Sequence, residues 1–455
     1  MNAKKNTSRL WLLGIPAILI FALLVVFLVR RLEGEPPTVT LTLASPALGA
    51  SQTVPVKVAD TKSGLRKVWI GLIKDGQEIA LVDKTYPAVG LLSGGAIHEE
   101  TIPVTIEPRA KGIKDGKAIL RIMVRDYSWR QWFHGNLYYH EQEIIIDTQP
   151  PSVEVLSKAN YFSQGGAGLV VYKLSEQCPT SGILVGDIFY PGYSGALSDP
   201  SIYLAMVAVA FDQGPSTAMQ VTATDFAGNT FRAGLQHLIN ARQFKHDTLE
   251  ISDQFLDWKM PEFANQVTAT PGESNLNIFL KVNDELRRAN YETLKKVTAT
   301  SDNKMHWKGD FLRLPNAAPR AGYADHRTYT YKGKKIDEQN HMGVDLASLE
   351  QSPVPAANAG KVVFAETLGI YGQTVVIDHG LGLFSMYSHL SSIGAAVGQM
   401  VAKGDIIGKT GMTGLAGGDH LHFGMLVQHT FVNPIEWWDS QWIHNNIEAK
   451  LEGVK

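Results

Sequence analysis

The chain has 455 residues, enough for about three domains. Its 42 basic and 44 acidic side chains leave no electrostatic footprint for nucleic acid, so no nucleic-acid partner is expected. The single cysteine, Cys178, excludes an intrachain disulfide and reads as a small buried apolar residue, not a nucleophile.

Residues 10–29 carry no charge. As a helix rising about 1.5 Å per residue they would span roughly the 30 Å hydrocarbon core of a bilayer. Pro16 falls near the start, where a helix tolerates it. A cleaved signal peptide is the alternative. The apolar run exceeds the usual h-region of about 7–15 residues, and Val29-Arg30-Arg31-Leu32-Glu33 lacks a small-x-small cleavage site. The reading is a transmembrane anchor at 10–29 behind a cytoplasmic tail at 1–9. Lys4, Lys5 and Arg9 before the span outnumber Arg30 and Arg31 after it only slightly, so charge alone sets no firm orientation.

Two β-type modules are expected next, at 36–148 and 149–235. Pro36-Pro37-Thr38-Val39 opens one alternating run and Pro150-Pro151-Ser152-Val153 another. Each ends in a similar way, at Val124-Arg125-Asp126-Tyr127 and at Thr224-Asp225-Phe226-Ala227-Gly228-Asn229. Short strands with Gly/Pro turns suggest sandwiches, and the modules resemble bacterial immunoglobulin-like domains, candidate sites for protein partners. The Asp225–Asn229 stretch reads as a hairpin turn rather than a site. Residues 127–139 are dense in aromatics (Tyr127, Trp129, Trp132, Phe133, Tyr138, Tyr139). They fit either an exposed platform for glycan or partner, or a hairpin packing its rings inward.

From 236 to 309 a helical connector is predicted, with its clearest helix at 276–297. Ile278, Val282, Leu286 and Ala289 recur at three- and four-residue steps and form one apolar face. Ser274 is the expected N-cap, and Lys295 and Lys296 suit the negative end of the dipole. Beyond plain connection, this element is a candidate to dock across the site described next.

The last third is β-rich, with glycine turns, and nine of the fourteen histidines follow residue 300. In Asp419-His420-Leu421-His422-Phe423 two imidazoles one residue apart share a face only on a strand. His341-Met342-Gly343-Val344-Asp345 repeats the pattern, with Gly343 leaving space between the two polar groups. Tyr387-Ser388-His389-Leu390 adds a further histidine. Two imidazoles and a carboxylate suit zinc, and three ligands leave a fourth position open, as in catalytic sites. Spacing leaves open whether His420 or His422 is the ligand. Residues 411–418, rich in glycine, are expected to form a mobile loop bordering a groove or to be only a turn.

These motifs, in this order, resemble the LytM/lysostaphin-type zinc metallopeptidases of family M23, across about residues 310–440. The framework matches too, at Tyr371-Gly372-Gln373-Thr374-Val375-Val376-Ile377-Asp378-His379-Gly380 and at Gly404-Asp405-Ile406-Ile407-Gly408. Asp419 stands where many members have proline. The resemblance implies a compact antiparallel β-domain and Zn2+ held by His341, Asp345 and His422, with His389 and His420 as non-ligand catalytic histidines. It implies a zinc endopeptidase cutting peptide cross-links of peptidoglycan, placed with its catalytic domain on the extracytoplasmic (periplasmic) side. The rivals are a non-hydrolytic activator of other wall hydrolases and a phosphocarrier on a related β-fold. The presence of all five residues argues against the first, and Asp345 and the anchor argue against the second. The fold class is therefore mainly β, with two sandwiches, a helical connector and the peptidase domain, and a tail at 441–455.

Some motifs lead nowhere. Gly404-Asp405-Ile406-Ile407-Gly408-Lys409-Thr410 is one residue short of a phosphate loop. His98-Glu99 and His140-Glu141 lack the second histidine of the helical zinc motif. With no glutamate base in such a motif, the non-ligand histidines are the natural proton carriers. His379 reads as the end of a strand, and Trp437, Trp438 and Trp442 as caps on the core rather than sugar platforms.

Overall fold

A computed structural model describes residues 8–454 except 91, 92, 269 and 271. Of the tail expected at 1–9, residues 1–7 lie outside the described set. The chain is mainly β and divides into two compact units, residues 1–150 with 224–229, and residues 151–223 with 230–455.

The first unit begins with a helix, Ser8–Arg31, whose 18 residues from Gly14 have a mean hydropathy of 2.2 and are almost wholly exposed. Length and apolarity are those of a membrane anchor or a signal sequence. A sandwich follows. One sheet holds Thr38–Leu41, Gln52–Ala59 and Glu99–Ile106; the other runs Ala47–Leu48, Leu137–Ile146, Gly116–Asp126, Leu65–Lys74, Gln77–Thr85. Period-two alternation sends Val54, Val56 and Val58 inward from one sheet, and Leu120, Ile122 and Val124 from the other. Each such side chain contributes about 1.5–3 kcal/mol on burial. These residues form a core of their own.

In the second unit a sandwich of two four-stranded sheets, one centred on Ala167–Leu174 and Ile202–Ala208 and the other on Thr180–Val185 and Met219–Thr224, shares one continuous core with the C-terminal domain. Tyr190 and Thr430 hydroxyls bond at 2.8 Å, Gln428 donates to Tyr193, and Ala167 N–H donates to Glu436. The sequence reads 149–235 as a module of its own; its packing here is continuous with the domain it precedes. Residues 441–455, expected as a tail, are helical as far as described and bury Ile443 and Ile447. Trp437 is fully buried against Trp307 and Phe311, a core role as expected. Cys178 is only half-buried, at odds with the sequence reading, because it follows the strand end at Leu174 in an open turn.

The connector comprises Asp253–Lys259, Asn275–Lys281, a π-helical turn Val282–Leu286, and Arg287–Val297. Ser274 caps it, its Oγ accepting from Asn277 N–H. The expected apolar face fails at one place. Ala289 is exposed and Asn290 is buried. The wider π turn advances the buried face by one residue, so it runs Val282, Leu286, Asn290, Leu294 instead. Asn290 then accepts a hydrogen bond from Ile370 N–H at 2.9 Å, tying the helix to the C-terminal domain.

The main C-terminal sheet has the order Ala318–Ala321, Val344–Ala347, Leu421–Val427, Leu383–Leu390, Gln373–Gly380, Gly360–Thr367, Met400–Val401. A smaller sheet pairs His246–Glu250 in parallel with His326–Tyr331, so the start of the connector lies along the same side of the domain.

Candidate metal centre and its cleft

Strand register brings the site together. Asp345 lies directly opposite His422, and His422 opposite Ser388, which precedes His389. His341 sits just before the Val344–Ala347 strand, held by His341 N–H to Asp325 C=O and Ala324 N–H to His341 C=O. Asp345 Oδ1 is 2.9 Å from His341 Nε2 and 2.9 Å from His422 Nδ1, and those two nitrogens are 2.9 Å apart. Gly343 is required here. A Cβ at that position would lie 2.6 Å from the His422 ring.

Backbone carbonyls fix the rings. His341 Nδ1–H donates to Gly322 C=O, His389 Nδ1–H to Thr413 C=O, and His420 Nδ1–H to Gly418 C=O, each at 2.8 Å. Each imidazole therefore keeps Nε2 as its lone-pair nitrogen. His420 Nε2 is 3.5 Å from Asp345 Oδ1, and the His389 and His420 ring centroids are 4.8 Å apart. His389 adopts φ 61°, a left-handed backbone rare outside glycine and typical of functional positions.

The electrostatics follow from burial and crowding. Burial would raise the Asp345 pKa, but the facing His341, His420 and His422 hold its carboxyl well below the usual range. Burial drives the His389 imidazole well down, helped by His420 and His422. Burial pushes His422 down to about 4. His420 also loses hydration, yet its bond to Asp345 raises it.

The donor set fits a metal. His341, Asp345 and His422 each offer one ligand atom within 4.8 Å of the others. A tetrahedral zinc with bonds of about 2.0–2.1 Å needs ligand atoms about 3.3 Å apart, a few tenths wider than here. His422 Nε2 is buried with no hydrogen-bond partner among the described residues, so the ring meets the centre through Nδ1 alone. Arg327 Nη2 donates to Asp345 Oδ2 at 3.2 Å, occupying the outer carboxylate oxygen and leaving Oδ1 to the centre. No motif in the sequence pointed to Arg327.

The centre lies in a cleft of about 360 Å3. One wall is the sheet with its histidines and Tyr371, whose ring centroid is 5.6 Å from that of His422. The connector supplies the other, through Ile251, Phe255, Phe279 and Arg287. The glycine-rich 411–418 loop, expected to be mobile, is tied down. Lys259, fully buried in the connector, donates to Met412 C=O at 2.8 Å; Thr413 Oγ donates to Leu390 C=O and accepts from Gln373 N–H; Leu415 N–H donates to Ile370 C=O. Gly372, at φ 64°, leaves room for Thr413 where a Cβ would come within 2.3 Å. His379 is structural, donating to Ala359 C=O and bonding Ser385 in the domain interior.

Residues 339–434 match peptidase family M23. The C-terminal domain is an M23 peptidase domain. The DD-carboxypeptidase/endopeptidase Mpg of Neisseria gonorrhoeae is 38% identical over 95 residues, 21% of this chain and 22% of that protein. The murein hydrolase activator EnvC of Escherichia coli is 35% identical over 100 residues, 22% of this chain and 24% of that protein. Among solved structures, the catalytic domain of lysostaphin from Staphylococcus simulans is similar at 29% identity, covering 29% of this chain and 98% of that one, with a TM-score of 0.25. The chain thus spans about a quarter of the length of the curated relatives it matches. The M23 match holds the histidines and the carboxylate of the centre; the connector wall lies outside it.

Proposed function

We propose that the protein is a membrane-tethered zinc endopeptidase that hydrolyses peptide cross-links of bacterial cell-wall peptidoglycan. The observation that carries this is the meeting of His341 Nε2, Asp345 Oδ1 and His422 Nδ1 at one point of an M23 domain, beside two further histidines. Mpg, by name a DD-carboxypeptidase/endopeptidase, supports the bond class, and EnvC, by name a murein hydrolase activator, supports the wall.

Zinc held by His341, Asp345 and His422 would supply a Lewis acid for the scissile carbonyl and make water a stronger nucleophile at neutral pH. The chain does the rest. Arg327 and the three backbone carbonyls hold the ligands and rings in one orientation. His389 takes the proton of the attacking water at Nε2 and passes it to the leaving amine; His420, whose pKa the Asp345 carboxylate raises, would be protonated at Nε2 and donate that N–H to the developing oxyanion. Such general acid–base work contributes about 10²–10⁴-fold. The apolar connector wall restricts water around the reacting atoms. Arg287 in that wall donates to Asn283 and has no acidic partner among the described residues, which suits the free carboxylates of wall stem peptides. The Ser8–Arg31 helix, as a single-pass anchor, holds this cleft at the extracytoplasmic face of the membrane, where that substrate lies.

Mass spectrometry of purified wall fragments after incubation with the full chain, with and without chelator, tests this. Chelator-sensitive release of peptide products is expected, with stoichiometric zinc. A zinc-loaded chain that releases nothing sinks the enzyme. The second reading, favoured by the resemblance to EnvC, is a regulator; it predicts zinc binding and no cutting, but stimulation of a separate wall hydrolase.

A further inference from the structure

The aromatic segment at 127–139 splits its rings in a way neither expected arrangement anticipates. Trp132 is 90% exposed, Phe133 62% and Tyr139 50%, whereas Trp129 is turned toward the N-terminal helix. Exposed rings of this size are unusual on a soluble surface and mark a contact face. Gln131, Trp132 and Phe133 are consecutive non-glycine residues at φ 52°, 57° and 69°, a left-handed run that persists only when its surroundings impose it. The surroundings are specific. Arg66 donates to Phe133 C=O at 2.6 Å, and Gly135 N–H donates to Arg130 C=O.

The same loop is clamped to the end of the apolar helix. Trp129 N–H donates to Arg31 C=O at 2.7 Å and Arg130 Nε donates to Leu32 C=O at 2.9 Å. The Arg31 guanidinium stacks over Trp129. Trp129 also meets Phe27 edge to face, centroids 5.3 Å apart, and Phe133 at 5.6 Å. No slack linker intervenes. Glu33 C=O accepts from Ser128 Oγ and Asn136 Nδ2, so the helix exit is part of the module. Phe27 lies one helical turn before Arg31, inside the apolar run, so Trp129 overlaps the last turn of that run.

We propose that the 129–133 loop is a second membrane contact, with Trp132 and Phe133 seated in the headgroup region of the same bilayer that the Ser8–Arg31 helix crosses. This rests on the anchor part of the reading above, not on the peptidase. Trp129 touches the final turn of the helix and carries Phe133 against itself, which sets the loop at the depth where Trp is favoured, with its apolar body inward and its N–H toward water. Arg66, which bonds the loop, and Arg130, within it, complement phosphate headgroups. The contact fixes how the first sandwich stands on the membrane, which a single helix alone would leave free to swivel.

The test places an environment-sensitive fluorophore on single cysteines of the full chain in a Cys178→Ser background. The chain is reconstituted into vesicles of phosphatidylethanolamine and phosphatidylglycerol. Trp132→Cys reports the loop. Gln77→Cys is the control, at the opposite end of the Leu65–Lys74 strand, about 30 Å along the same sheet. Leu23→Cys reports the helix. Expected are blue-shifted emission at 132 with quenching by headgroup-level spin-labelled lipid, water-like emission at 77, and quenching at 23 by deep-labelled lipid. If 23 is quenched while 132 matches 77, the loop contact is wrong and the anchor stands. If 23 is not quenched, both fall. A shift at 132 that appears only when wall fragments or a protein are added also overturns the proposal, in favour of a glycan or protein platform.

Discussion

The two walls of the cleft are built by opposite strategies. On the sheet side a main-chain carbonyl backs the rings of His341, His389 and His420, and strand register sets His422 opposite Asp345. On the connector side the wall is mainly apolar, with Glu250 and Arg287 as its charged members; Arg287 lacks an acidic partner among the described residues, and Lys259 lies buried beneath the 411–418 loop. On the proposed function, reaction and recognition would be encoded in separate segments, one inside the M23 match and one outside it. Sheet-side changes should therefore act on turnover or metal, and connector-side changes on substrate or loop geometry.

The sharpest break of that contrast is His420→Ala, expected to lower kcat by about 10²–10⁴-fold while zinc content by elemental analysis stays at one per chain. Retained turnover would remove His420 from the mechanism. Gly343→Ala drives a methyl into the His422 ring and should weaken zinc affinity about 10–100-fold, read by competition with a chelating dye. Arg287→Met should raise KM about tenfold for a peptide with free carboxylates and leave kcat near wild type, because it forfeits a charged hydrogen bond worth about 1.5–3 kcal/mol. The same change on an amidated peptide should have little effect. Lys259→Met, which removes the donor to Met412, should cost about 1–3 kcal/mol in thermal unfolding and lower kcat several-fold through the misplaced Thr413 carbonyl.

The smallest effect lies outside the cleft. Burial pushes Glu436 up to about 7, against the lowering influence of Ala167 N–H and Arg242. Between its ordinary value of 4.5 and about 7 the folded state binds more protons than the unfolded one. Stability should fall as pH rises through that window and level off above it, and Glu436→Gln should flatten the slope in chemical denaturation.

The sheet side was legible because strands write their faces in alternate letters. His420-Leu421-His422 and Asp345 announced a shared face, and the family likeness chose between the two histidines. Gly343 was readable as a gap for the same reason. The connector side was not. Its helix pattern was visible and its cap correct, but the π turn at Val282–Leu286 has no mark in composition and swapped Ala289 for Asn290 on the buried face. Glycine density suggested a mobile loop at 411–418, whereas the restraint comes from Lys259, about 150 residues away, which no local pattern reveals. Arg327 escaped as well, because it bonds Asp345 from a strand of a different sheet, a contact no alternation pattern marks. Residues 441–455 looked like a tail because short helices bury too few side chains to show a period.

The three imidazoles whose Nδ1–H groups rest on Gly322, Thr413 and Gly418 carbonyls carry an evolutionary consequence. A main-chain oxygen is present whatever the side chain, so substitution at those acceptors leaves the choice of tautomer intact. What disturbs it is a change that moves the backbone carrying the oxygen, such as loss of the Lys259 hold on the 411–418 loop. The centre is thereby buffered against side-chain change at the three acceptor positions themselves.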